Sequence, residues 1–354
     1  KNLLDEAARV EAERRKAGLD GLVGGLEFVV INTEPARQVA AAREMLATTG
    51  FACREAFEDE SGVGFVLSAA NSADILIRSR KSGTNPFLSI NDRQKTRHLP
   101  ATRLETLVFR TRDLNRYVEI QRGRGVRFLT DAVVENELYR FIQTAPSRFT
   151  GNSIGFVEGK GGGRRYAHAA SRTIDAPKKP GRGYLASIGR IDHVATRVTA
   201  PDRDPAILEF MSLTNYRFDF AVYVEELNSI TNVARLSKEE FALVFTSGIS
   251  SPGGGAPAGP TERFVELYGP RVHHVALDTR DIEDTCDALA RDGMRYLVEL
   301  VGSPAEGLKQ TFTVPSENTM LVTEYIRRYG DFDGFFTKSN VTILTAASGK
   351  AYGD

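Results

Sequence analysis

Cysteine is scarce in this chain, and net charge is missing altogether. Two cysteines in 354 residues, Cys53 and Cys286, cannot build a disulfide framework and lack metal-ligand spacing. Both read as structural, and a reducing, cytoplasmic setting is the expectation. The 46 basic side chains are matched by 46 acidic ones, so no bulk electrostatic grip on nucleic acid is expected. Short basic runs such as Arg14-Arg15-Lys16 and Arg164-Arg165 read as solvated faces. No apolar run approaches the ~20 residues that span a bilayer. No basic segment followed by an apolar one resembles an export leader. The G-x-S-x-G and H-E-x-x-H patterns are absent too. The glycine-rich segment at 159–165 lacks the Lys-Ser/Thr that follows the glycines of a phosphate loop, so it reads as linker.

What is present is a composition of globular type, 41% hydrophobic and 26% charged, organised by an internal repeat. Residues 3–18 read as a charged helix that Gly18 stops. Further on, Thr111-Arg112-Asp113 recurs as Thr279-Arg280-Asp281. At the same offset Gly125, Arg127 and Leu129 recur as Gly293, Arg295 and Leu297. In both copies an apolar run precedes the Asp, which sits where a helix cap belongs. A second pair lies upstream: 26–31 and 191–196 each open a unit of strand, helix and further strands. The interval from Phe28 to Gly50 equals that from His193 to Asn215. The chain therefore reads as A-B, linker, A′-B′. The expected organisation is a helix within 1–25, a first module pair in 26–164, a linker in 165–190, and a second pair in 191–354. Residues 248–260 read as a long mobile loop.

Aligning the first strands of the four units exposes the chemistry. Their third positions are Phe28, Thr106, His193 and His274, so only the second half carries histidines there. The last strand-like run, Met320 to Ile326, holds one carboxylate, Glu324, and the repeat offset sets Phe156 opposite it in the first half. Two imidazoles and one carboxylate are the facial set that suits a divalent transition metal with open positions. Fe(II) is favoured, and Mn, Co, Zn or Ni are also compatible. His273 precedes a candidate ligand, but its repeat partners Glu27, Glu105 and Asp192 are all polar. It is expected to point to the other face, or to sit behind the ligands. His98 and His168 read as surface residues.

The second half resembles the vicinal oxygen chelate superfamily, in particular the 4-hydroxyphenylpyruvate dioxygenase type. The resemblance is carried by IDHVA at 191–195, LNS at 227–229, HHVALDTRDI at 273–282, KQTF at 309–312 and EYIRRYGDFDGF at 324–335. It implies an α+β fold of four βαβββ modules in two open β-barrels, with a C-terminal helix over the active one. It implies Fe(II) on His193, His274 and Glu324, and a metal-free first half. Gln310 and Ser229 would hold polar groups of the substrate, and Phe312, Phe335, Phe336 and Asn340 would line its pocket. The implied activity is oxidative decarboxylation and hydroxylation of a 2-oxo acid, an arylpyruvate, with O2 as co-substrate. The implied assembly is a homo-oligomer, with no nucleic-acid or membrane partner. A metal-dependent lyase or isomerase, or a binding protein without catalysis, are the alternatives of the same architecture. The chain departs from the family pattern at three places. His273 replaces a glutamine, Thr246-Ser247-Gly248 replaces Asn-Glu-Pro, and Val341 stands where the closing motif has an aromatic residue.

Overall fold

The computed structural model describes residues 2–81, 85–161, 163–251 and 258–352. Gly162 and the centre of the 248–260 loop, 252–257, lie outside these residues. Helix α1 (Leu3–Ala17) is followed by β1 (Val23–Asn32), α2 (Gln38–Thr48), β2 (Ala52–Glu58), β3 (Gly62–Ser68) and β4 (Asp74–Arg80). The next unit is β5 (Arg103–Thr111), α3 (Leu114–Gly123), β6 (Val134–Glu135), β7 (Tyr139–Gln143) and β8 (Ser153–Gly159). A short β9 (Arg172–Thr173) precedes the second half: β10 (Ile188–Arg197), α4 (Arg203–Leu213), β11 (Arg217–Val224), β12 (Ser229–Arg235) and β13 (Ala242–Ser247). Then come α5 (Pro260–Tyr268), β14 (Arg271–Thr279), α6 (Ile282–Arg291), β15 (Val301–Ser303), β16 (Leu308–Phe312), β17 (Val322–Arg328) and α7 (Lys338–Tyr352). The four βαβββ modules are all present.

The strands form two mixed sheets, ordered β6-β7-β8-β5-β1-β4-β3-β2-β9 and β11-β12-β13-β10-β14-β17-β16-β15. In each, two modules meet through an antiparallel central pair, β1 with β5 and β10 with β14. These central strands are buried along almost their whole length. One face looks into the barrel and the other onto helices, which is why they read as continuous apolar runs. The outer faces of both halves share one core, in which Phe109 of β5 packs against Phe210, Tyr216 and Phe241 of the second half. Each barrel interior is a separate, smaller cluster.

Helix α1 belongs by packing to the second half. Its Arg14 is buried and donates to the carbonyls of Met211, Thr214 and Tyr216 at 2.8, 3.1 and 2.6 Å. Gly18 ends the helix in the left-handed region at φ 78°, as the sequence suggests.

Three local expectations change. Asp113 caps α3 by accepting from the Arg116 amide, but Asp281 is left-handed at φ 47° and makes no capping bond. The linker is partly built into the fold: β9 pairs with β2, and the Lys179 ammonium donates to the carbonyls of Thr49 and Phe51. Helix α5 opens at Pro260, where the sequence suggests only loop. The absence of a side chain at Gly349 of α7 makes room for that proline.

Candidate metal centre

Strand register brings the histidines and the glutamate together. His193 pairs with Ala276 across the antiparallel seam, and Glu324 pairs with the same Ala276 from the parallel side. His274 lies two residues earlier on β14, on the same face. Ala276 is fully buried and small, so the flanking side chains converge above it. One donor atom from each of His193, His274 and Glu324 lies within 4.8 Å of the others, and all three residues are buried.

Two β-bulges complete the site. The ladder between β10 and β14 shifts at Asp192 and again at His273. A bulge places consecutive side chains on one side of a strand. Asp192 Oδ1 thus reaches Nδ1 of its own neighbour His193 at 2.8 Å. His273 Nδ1 lies 2.9 Å from His274 Nδ1. His273 therefore sits directly behind a candidate ligand, between Phe264 and Phe312, and not on the opposite face. The same shifts occur at Glu27 and Glu105 in the first half, so the polar column seen in the sequence is the column of bulge residues.

The first half has the same plan without the donors. Phe28 and Thr106 hold the two histidine positions, as the sequence suggests. The counterpart of Glu324 is Gly155 rather than Phe156. Thr106 pairs with Ser153 while His274 pairs with Val322, so the offset slips by one residue before the last strand.

The polar atoms at this point suit a metal. His193 Nε2, His274 Nε2 and Glu324 Oε2 are buried and make no hydrogen bond. The two nitrogens lie 3.3 and 3.2 Å from that oxygen. Burying three polar atoms that meet only one another is costly, and one divalent cation would satisfy all three. Burial pulls the His193 pKa down, but Glu324 and Asp192 outweigh it and raise it to about 9. Burial pushes Glu324 up, and the two histidines outweigh that and hold it near 2. For His274 burial dominates, and its pKa falls below the usual histidine value.

The surrounding side chains orient the donors. Arg328 donates to both oxygens of Asp192 at 2.5 and 2.9 Å and to the Gly334 carbonyl at 2.8 Å. Gln310 donates to Glu324 Oε1 at 2.6 Å and accepts from Asn340 of α7 at 3.2 Å. The amide that the sequence assigns to substrate is thus engaged with the glutamate. Phe312 lies 4.7 Å from the His274 ring, and Phe335 and Phe336 lie 5.1 and 5.9 Å from that of His193. Val341 packs with the latter two in the barrel interior. Ser229 is buried at the start of β12. Among the described residues, its hydroxyl bonds to none of the three donors. Sequence reasoning misses the roles of Asp192 and Arg328. The available signal is the carboxylate of Asp192 itself, since metal-bound histidines commonly give their other N–H to a carboxylate.

No family model and no curated protein sequence matches the chain, but solved structures do. A triple mutant of 4-hydroxymandelate synthase from Streptomyces coelicolor superposes with a TM-score of 0.69 at 16% identity. The match covers 93% of this chain and 99% of that one. A xylose isomerase-like TIM barrel/4-hydroxyphenylpyruvate dioxygenase fusion protein gives 0.65 at 18%, over 98% of this chain and 57% of the fusion. A halotolerant catechol dioxygenase gives 0.52 at 11%, over 88% and 90%. The chain has the fold that these structures share.

Proposed function

We propose that this chain is a non-haem Fe(II)-dependent dioxygenase acting on a 2-oxo acid, an arylpyruvate such as 4-hydroxyphenylpyruvate. The observation that carries the reading is the convergence of three buried donor atoms, on His193, His274 and Glu324, that meet one another and no other polar group. Two nitrogens and one carboxylate leave positions open for a bidentate 2-oxo acid and for O2. When bound, Fe(II) supplies that open coordination sphere and the redox chemistry that couples decarboxylation to hydroxylation. The likeness to 4-hydroxymandelate synthase and to the dioxygenase fusion supports the substrate class.

The protein's own work is orientation and exclusion. Asp192 holds the Nδ1 side of His193, so Nε2 presents its lone pair inward. Arg328 neutralises Asp192 and ties it to the segment that carries Phe335. Asn340, through Gln310, fixes one oxygen of Glu324 and leaves the other for the metal. Phe312, Phe335 and Phe336 wall the site, where they pack an aromatic ring and keep water out. The Ser229 hydroxyl remains for a polar group of the substrate.

The test is anaerobic loading with Fe(II), then O2 uptake and CO2 release with 4-hydroxyphenylpyruvate. Uptake matched by CO2 release supports the reading. No uptake with any arylpyruvate removes the substrate assignment, and turnover under argon with Mn or Co points to a lyase or isomerase.

A further inference from the structure

The first barrel is hollow. A cavity of about 440 Å³ opens among Phe28, Phe57, Leu76, Tyr139, Phe141 and Tyr166, on the face equivalent to that of the metal centre. Its size is within the range of small-molecule sites. Tyr166 stacks edge-on against Phe28 at 4.8 Å and donates to Asp74 at 3.0 Å, so the wall is held in place.

One cation in this cavity makes no direct contact with an acid. Arg78 of β4 lines it at the register position of Thr246 in the second barrel. Among the described residues its guanidinium makes no hydrogen bond and no ion pair. Burial and the neighbouring Arg80 charge lower its pKa, and the more distant Glu105 and Asp59 only partly offset them. The acids nearby are engaged elsewhere. Glu105 takes both nitrogens of Arg80 at 2.7 and 2.6 Å. Asp59 accepts from the amide and hydroxyl of Ser61 at 2.8 and 2.6 Å. Glu135 pairs with Lys160 and Arg140, and Glu60 is exposed. Beside Arg78, Thr106 donates to Gln143 Oε1 at 2.9 Å, which leaves the Gln143 amide N–H groups without a partner among the described residues.

We propose that the first barrel binds a small aryl monocarboxylate, with its carboxylate on Arg78 and its ring among the aromatic walls. A single guanidinium matches a single carboxylate in a two-point contact. A dianion such as phosphate would keep an unbalanced negative charge on this single guanidinium. The ring stacks against phenylalanine and tyrosine faces. Where the second barrel sets a metal site, the first sets a permanent cation. The site needs no metal and stands independently of the proposed activity.

The test uses 4-fluorophenylacetate as probe, which lacks the keto group needed to chelate a metal. Fluorine NMR and calorimetry are run on the full chain without metal. One bound resonance with a stoichiometry near one is expected. Arg78→Leu should weaken binding at least about tenfold, Arg78→Lys less, and the neutral 4-fluorophenylacetamide should also bind at least about tenfold more weakly. Leu76→Trp, which fills the cavity and keeps the charge, should abolish binding even if Arg78→Leu fails to fold. Glu324→Gln in the second barrel should leave it unchanged. Absence of binding at millimolar probe overturns the proposal. So does equal binding by inorganic phosphate, folded Arg78 variants that bind as the parent does, or loss of binding in Glu324→Gln.

Discussion

Arg328 grips both carboxylate oxygens of Asp192 at 2.5 and 2.9 Å, and Asp192 in turn holds the His193 ring. A charge at the end of β17 thereby orients a donor on β10. The same guanidinium binds the Gly334 carbonyl and stacks over Phe335 at 4.9 Å, so donor geometry and the covering segment are coupled.

Asp192→Asn should therefore keep the fold and loosen the metal. The expected loss in Fe(II) or Co(II) affinity is about 10–100-fold, read by competition titration with a chelator. Arg328→Met should give a similar loss, because it leaves Asp192 buried without its counter-charge. Unchanged affinity in both variants would separate these residues from the donors.

Gln310→Leu removes the 2.6 Å bond to Glu324 and the link to Asn340. Metal affinity should fall about tenfold, and Asn340→Ala should fall less because Gln310 remains. If Asn340→Ala proves the more damaging, the relay does not run through Gln310.

Metal binding should release a proton. Without metal, Glu324 and Asp192 raise His193 to about 9 against the pull of burial, so its ring is protonated at pH 7. A metal needs it neutral. Affinity should therefore rise with pH and level off above about 9, and calorimetry in buffers of different ionisation enthalpy should report the released proton. A flat affinity from pH 6 to 9 contradicts this.

Linkage in the metal-free protein has the opposite sign. A folded-state pKa above the unfolded value of 6.5 means His193 contributes its full stability below that value. The contribution is lost as pH rises through about 9. The melting temperature of the metal-free chain should fall over that window, and the metal-loaded chain should resist the fall.

Arg14→Met tests the seat of the N-terminal helix. It leaves the carbonyls of Met211, Thr214 and Tyr216 without their shared donor. A loss of about 3 kcal/mol is expected in urea unfolding.

Much of this was legible in the sequence because duplication leaves a record of spacing. The Thr-Arg-Asp repeat and the matched intervals locate the four modules, and the column Phe28, Thr106, His193, His274 separates the two halves. What was hidden depends on register. The bulges at Asp192 and His273 turn neighbouring side chains to one side, and no periodicity shows that. The one-residue slip before the last strand moves the match of Glu324 from Phe156 to Gly155. The docking of α1 through Arg14 is a long-range contact to backbone carbonyls, which leave no residue pattern.

Elemental analysis after anaerobic loading tests the central claim most directly. Purified chain given excess Fe(II) and then desalted should retain about one equivalent, and the Glu324→Ala and His274→Ala variants should retain little. A chain that holds no metal, or a triple variant lacking His193, His274 and Glu324 that holds as much as the parent, would contradict the account.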